Sequence, residues 1–111
     1  ALLGRVRHTN RLVIADAMFP SWPGIPEIDL ALVAGVPTVP QVLAAVRTAW
    51  KPGPVWMASE FRSSQPPGVL AEFVEALGGA EPRFEPHGDL KSRVPGATGL
   101  IRTGEMRIYT N

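Results

Sequence analysis

Over 111 residues, eleven Lys and Arg face ten Asp and Glu, a formal charge of +1. This near-balance, with arginines scattered from Arg5 to Arg107 and no run among them, argues against nucleic-acid and membrane-surface partners. Cysteine is absent, which excludes disulfide scaffolds, cysteine-based zinc sites and thiol nucleophiles. An apolar fraction of 45% fits one globular domain over residues 1–111. No apolar run nears the roughly 18 residues of a membrane span. Signal-peptide features are missing, so a cytoplasmic location is expected.

The chain opens with Ala1 to Val6, which reads as the last turns of a helix. Arg11 to Ala15 is a short apolar run with β-branched residues, expected as a strand buried on both faces. It ends at Asp16 and enters a loop, Phe19-Pro20-Ser21-Trp22-Pro23-Gly24, too rich in proline for helix or central strand. A second strand is expected from Ile28 to Val33, closed by Gly35-Val36-Pro37. Thr38 and Gln41 have the spacing of a capping box and open a helix to about Trp50. Its apolar face is Val39, Val42, Leu43, Val46 and Trp50, and Lys51-Pro52-Gly53-Pro54 stops it. Val55 to Ala58 reads as a third strand. Pro66 and Pro67 start another helix with Val69, Leu70, Phe73, Val74 and Leu77 on one face and a Gly78-Gly79 cap. A strand at Arg83 to Glu85, a brief helix at Asp89 to Val94 and a strand at Thr98 to Arg102 follow. Ile108 to Asn111 reads as the start of one more strand. This alternation predicts an α/β layered sheet covered on both faces.

Ligands of such sheets gather beyond the carboxyl ends of strands, which draws attention to Asp16. His8 sits in a polar stretch, Arg7-His8-Thr9-Asn10, before the first strand. A five-residue strand spans roughly 16–17 Å, so His8 and Asp16 meet only if loops fold back or a neighbouring subunit completes the site. The second histidine, His87, taken alone reads as a structural residue. No His-x-x-x-His or His-x-x-Glu spacing supports a metal triad, and Gly-x-Ser-x-Gly and phosphate-loop patterns are also missing. On a strand, Tyr109 and Asn111 face one side together and can reach one ligand, although alone they read as an ordinary strand edge. Trp22 is kept as a candidate for stacking on a sugar face; Trp50 and Trp56 read as core or subunit contacts.

Taken together, the motifs form a recognisable series. His8-Thr9 followed by Asp16-Ala17-Met18-Phe19-Pro20 resembles the opening signature of the ribose pyranase and fucose mutarotase family (RbsD/FucU type). Ile28 to Leu32, Gly35-Val36-Pro37 and Gln41-Val42-Leu43 resemble its next block. His87 lies eighteen residues before Glu105 of Ile101-Arg102-Thr103-Gly104-Glu105, and Tyr109-Thr110-Asn111 closes the chain. Any one block is unspecific; five in register over nearly the whole chain are not.

The resemblance implies a three-layer α/β/α fold with a central mixed sheet. It makes His8 the general acid, Asp16 a sugar-binding carboxylate, His87 a further sugar contact, and Tyr109, Thr110 and Asn111 the closing segment that holds the sugar. It also implies a homo-oligomer, commonly a decameric ring, with sites at subunit boundaries. The chain departs from the family pattern at Arg7, where glycine is usual, and at Asn10, where aspartate is common. Set against that pattern, it is expected to lack a leading segment and the apolar strand that follows Asn111.

Exchanging ring forms or anomers needs a proton delivered to the ring oxygen while the anomeric hydroxyl loses one. That chemistry requires neither metal nor organic cofactor, and a histidine titrating near neutrality suits it. The leading expectation is a cofactor-free mutarotase interconverting pyranose and furanose forms of D-ribose. His87 and the block from Ile28 to Leu43 favour ribose, while Phe19-Pro20 echoes the L-fucose type. Arg7 beside His8 keeps open a non-catalytic monosaccharide-binding or transport-associated protein, and a structural oligomer without ligand is the weakest alternative.

Overall fold

The structure is a computed structural model and describes residues 11–49 and 53–111. In chain order it contains β1 (Leu12–Ala15), β2 (Glu27–Asp29), α1 (Val39–Ala49), β3 (Trp56–Ala58), α2 (Glu60–Ser64), α3 (Pro67–Ala76), β4 (Arg83–Glu85), α4 (His87–Ser92), a 3-10 turn at Val94–Gly96, and β5 (Gly99–Arg102). The helix end expected at Ala1 to Val6, the candidate acid His8 with Arg7 and Asn10, and Trp50 lie outside the described residues.

Strand β5 is central in a parallel sheet of order β1-β5-β2, and β3 pairs with β4 in a second parallel sheet. The α/β class therefore holds. The expected mixed central sheet takes the form of two parallel pieces, and the one antiparallel pairing among the described residues is a single bridge, Val33 to Val36. Alternation along the strands sets the layers. Leu12, Ile14 and Ile101 meet Val42 and Val46 of α1 on one face. Val13, Ala15 and Leu100 meet Phe19, Trp22, Ile25 and Val94 on the other. A larger cluster joins Val39 and Leu43 of α1 to Met57, Phe61, Phe73 and Leu77. A cavity of about 360 Å³, bounded by Leu12 to Ile14 and by Val55 to Met57, lies between the edges of β1 and β3.

Local chemistry explains the boundaries. The capping box forms as expected: Thr38 N–H donates to Gln41 Oε1 (2.8 Å) and Gln41 N–H to Thr38 Oγ1 (3.2 Å). Gly78 and Gly79 take φ of 72° and 98°, the left-handed values that close α3. Three expectations change. The second strand ends at Asp29 rather than Val33, because the Asp29 side chain accepts the Ala31 N–H (2.9 Å) and turns the chain. The helix near residue 89 starts at His87, and what was read as its end is the 3-10 turn. Residues 108–111 are not a strand: Ile108 and Tyr109 form a turn, with Tyr109 at φ 55°. Helix α2 was not anticipated; its five residues are too few to show a period.

Gly104 is the position where close approach demands glycine. Its carbonyl accepts the Gly35 N–H (2.6 Å) and its N–H donates to the Pro37 carbonyl (2.9 Å). A Cβ there would lie 2.6 Å from the Val33 carbonyl oxygen and would also strike that of Val36. Gly104→Ala is expected to lower unfolding stability by about 1–3 kcal/mol, the usual cost of overpacking, read as a shift in denaturation midpoint.

Candidate functional site

Asp16 leaves the carboxyl end of β1 and His87 follows β4, so parallel strands deliver both to strand-end loops. The loop after Asp16 and the C-terminal turn then close a cleft of about 210 Å³. Its walls are Asp16, Met18, Phe19 and Pro20 on one side, His87 and Lys91 of α4 on another, and Ile108, Tyr109 and Asn111 on the third. Four of the five candidate ligand contacts are therefore brought together. The fifth, Thr110, points elsewhere. It is fully buried, donates to the Arg107 carbonyl (2.8 Å), and borders the larger cavity behind the cleft. Trp22 stacks on Phe19 at 5.5 Å within the core and is not among the residues lining the cleft.

Asp16 is 7% exposed, and its Oδ1 accepts the Met18 N–H (3.0 Å). Burial pushes its carboxyl above the ordinary range, against the opposing pull of the Met18 and Phe19 amides, His87 and Arg102. His87 moves the other way. Burial and then the Lys91 charge pull its imidazole below the ordinary value of 6.5, partly offset by Glu60 and Asp16. Glu60 fixes the backbone here, its carboxylate accepting the His87 N–H at 3.0 and 3.2 Å and capping the start of α4. The Tyr109 and Phe19 rings lie edge-on to the imidazole, at 5.0 and 6.2 Å.

Three buried polar atoms have no hydrogen-bond partner among the described residues: His87 Nδ1, Asn111 Oδ1 and Asn111 Nδ2. Each such atom costs about 1–3 kcal/mol, so finding them on two residues of one cleft marks a place where a polar molecule would complete the bonding. Both donors and acceptors are on offer, and the groups here suit a neutral ligand bearing several hydroxyls. The described residues hold no cluster of three or more His, Asp or Glu able to bind a metal.

The closing turn is held from outside. Glu105, 3% exposed, accepts the Val39 N–H at the start of α1 (3.2 Å) and pairs with Arg107 at 2.8 Å. Burial acts to raise its pKa, but the Arg107 bonds hold it below the usual carboxylate range. Arg107 also reaches Glu72 of α3 (2.9 Å), and Gln65 Nε2 donates to the Ile108 carbonyl (2.9 Å). Lys91 is the cleft residue that the sequence reading missed. It stands four residues after His87 on one helix, a spacing that places both on the same face once that helix is known to begin at His87.

Comparison with known proteins places this geometry in context. A family model described as the RbsD / FucU transport protein family matches residues 1–111. A D-ribose pyranase of Pediococcus pentosaceus is 33% identical, the match covering 99% of this chain and 83% of that protein. One of Bacillus velezensis is 36% identical over the same shares. The structure of Bacillus subtilis RbsD complexed with D-ribose superposes with a TM-score of 0.86 at 30% identity, covering 97% of this chain and 82% of that one.

The opposed shifts give a test. Folded His87 binds its proton less tightly than in the unfolded chain, so its contribution to stability is lost as pH falls through 6.5 toward the lower folded value. In a proton NMR titration its midpoint is expected below 6.5, with Lys91→Met moving it up and Asp16→Asn moving it further down. A parent midpoint at or above 6.5, or shifts of the opposite sign, would contradict this electrostatic description.

Proposed function

The chain belongs to the RbsD / FucU transport protein family, and on that premise we propose that it is a cofactor-free isomerase, a mutarotase that interconverts pyranose and furanose forms of D-ribose. The observation that carries the reading is the cleft in which Asp16, His87 and Asn111 converge with three unpaired buried polar atoms. Its volume of about 210 Å³ falls below the roughly 300–1,000 Å³ of drug-sized ligand pockets and suits one monosaccharide. Relatives named D-ribose pyranase, and a similar structure holding D-ribose, support the choice of sugar.

Ring opening moves two protons at the two oxygens of the anomeric carbon. The ring oxygen gains one as its bond to that carbon breaks, and the anomeric hydroxyl loses one to solvent as its oxygen becomes the aldehyde carbonyl. His8, assigned by the family motif, supplies the proton to the ring oxygen. Asp16 and His87 hold hydroxyls through the polar atoms they present to the cleft, and Asn111 offers its amide nitrogen as donor and its amide oxygen as acceptor at the opposite wall. Tyr109 contributes an aromatic face. Ring closure at the alternative hydroxyl returns the proton by the same route. No bond to carbon is oxidised or reduced, so the chemistry consists of general acid–base steps, each contributing typically about 10²–10⁴-fold.

The assembly we propose is a homo-oligomeric ring, a decamer as in the family, with cytoplasmic location. Among the described residues eight large apolar side chains stay exposed: Met18, Ile28, Leu30, Leu32, Val33, Val36, Met106 and Ile108. Two of them, Met18 and Ile108, line the cleft itself. Apolar surface continuous with a polar site is what a neighbouring subunit would cover. A partner seated there can also bring a catalytic group that its own chain cannot fold back to reach.

Saturation-transfer NMR of D-ribose reports ring exchange directly. The protein is expected to accelerate it, His8→Ala to abolish the acceleration, and Asp16→Asn to weaken binding. If the site is shared between subunits, mixing His8→Ala with Asp16→Asn protomers restores part of the activity. Faster exchange of L-fucose but not ribose would favour the fucose type, and ribose binding without exchange a non-catalytic binding protein.

A further inference from the structure

Arg102 closes the central strand, where its backbone is fixed on both sides by pairing with Ala15 of β1 and Asp29 of β2. Its side chain, 11% exposed, turns toward the loop that carries Asp16. Nη1 contacts the Phe19 carbonyl and reaches those of Ala17 (3.2 Å) and, more weakly, Asp16 (3.4 Å). Nη2 donates to Ser21 Oγ (3.2 Å) and Glu27 Oε1 (3.3 Å), while Nε donates to Glu27 Oε2 (3.0 Å). Glu27, on β2, thus takes the guanidinium in two-point fashion and sets its plane.

The loop's own bonds do not fix where Asp16 points. The Met18 and Phe19 N–H groups donate to the Asp16 side chain and carbonyl, so this turn closes on Asp16 itself. Outside support comes from the Ala17 N–H, which donates to the Glu105 carbonyl (2.8 Å), and from Arg102. Four of the nine residues lining the cleft, Asp16, Met18, Phe19 and Pro20, ride on this segment.

We infer that Arg102 is a positioning residue for the cleft: by gripping the Asp16, Ala17 and Phe19 carbonyl oxygens from the rigid end of β5, it aims the Asp16 carboxylate at the bound sugar. The inference rests on reading the cleft as a monosaccharide site. It assigns the Glu27 pair a supporting part, orienting the guanidinium through its two-point contact. A lysine cannot replace the arginine. Its single ammonium is a point charge on a flexible stem and cannot serve Glu27 and several carbonyls at fixed angles.

Two readouts test this together. In Arg102→Lys, amide hydrogen exchange at Met18 and Phe19 is expected to speed up while Val42 and Val46 of α1 keep their protection. The apparent KM for D-ribose is expected to rise on the order of tenfold with kcat little changed, the scale seen when a supporting partner of a binding group is lost. Glu27→Gln, which leaves the carbonyl contacts possible, should keep most of the loop protection. Unchanged Met18 and Phe19 exchange in Arg102→Lys overturns the inference, as does an equal loss in Glu27→Gln, which would put the ion pair in the deciding role. If Arg102→Lys also exposes α1, Arg102→Met is measured, and general loss in both variants overturns it as well, since the residue then holds the fold and not the loop. Should the parent protein neither bind nor interconvert ribose, the proposed function falls, and the amide comparison still decides the role of Arg102.

Discussion

Four consecutive residues leaving the central strand each fasten a different part of the chain, and the cleft exists because they do so at one point. Arg102 takes the loop after β1. Thr103, fully buried, donates to the Ala15 carbonyl from both its N–H (3.0 Å) and its hydroxyl (2.8 Å). Gly104 lets the Val33 to Pro37 turn lie against the backbone. Glu105 receives the start of α1 and, through Arg107, the closing turn. A strand paired on both edges is the stiffest part of a small sheet, so groups fixed to its end inherit that stiffness. Loops with few internal bonds thereby become the walls of a defined site.

Much of this frame was legible in the sequence because its signals are local. A capping box, an apolar face with a period near 3.6 and a pair of glycines set α1 and α3 to within a residue or two. The strands of apolar run type were found for the same reason. Failures came where a side chain rather than a pattern decided the outcome. Asp29 ends β2 by taking the Ala31 N–H, a contact that alternating hydrophobicity does not reveal. Residues 108–111 have the composition of a strand, yet the chain turns there, held by Gln65 on the Ile108 carbonyl and by the neighbouring Arg107, which Glu72 of α3 anchors.

The site shows the same division. Asp16, His87, Tyr109 and Asn111 were singled out by motif, yet spacing alone gave no reason for them to meet, since they lie up to the whole domain apart in sequence. What joins them is the parallel topology, which brings strand ends to a common edge. Thr110 belongs to the closing segment that the family resemblance assigns to the sugar. On a strand it would face away from Tyr109 and Asn111; in the observed turn it also faces away, and its hydroxyl closes the turn by bonding the Arg107 carbonyl. Tyr109 accepts a left-handed backbone, φ 55°, a conformation that costs a non-glycine residue of order 1–3 kcal/mol. With Tyr109 in that conformation, the ring lies against His87 and Asn111 lines the cleft.

Placing a carboxyl and an imidazole in one small cleft invites an ion pair between them, which would fill the bonding capacity that a sugar needs. Burial works against that outcome by shifting both groups toward their neutral forms, Asp16 upward and His87 downward. Lys91 adds to the shift on the histidine, and the Met18 amide occupies one oxygen of the aspartate. No hydrogen bond or ion pair joins Asp16 to His87 among the described residues. His87 keeps its Nδ1 unpaired at the cleft, and Asp16 lines the facing wall. Shifts toward the neutral forms also suit a ligand that carries hydroxyls and no charge, because a desolvated ion would demand a counter-charge that such a ligand cannot provide. The same burial that costs the folded chain stability therefore keeps its polar atoms available to an uncharged polyol.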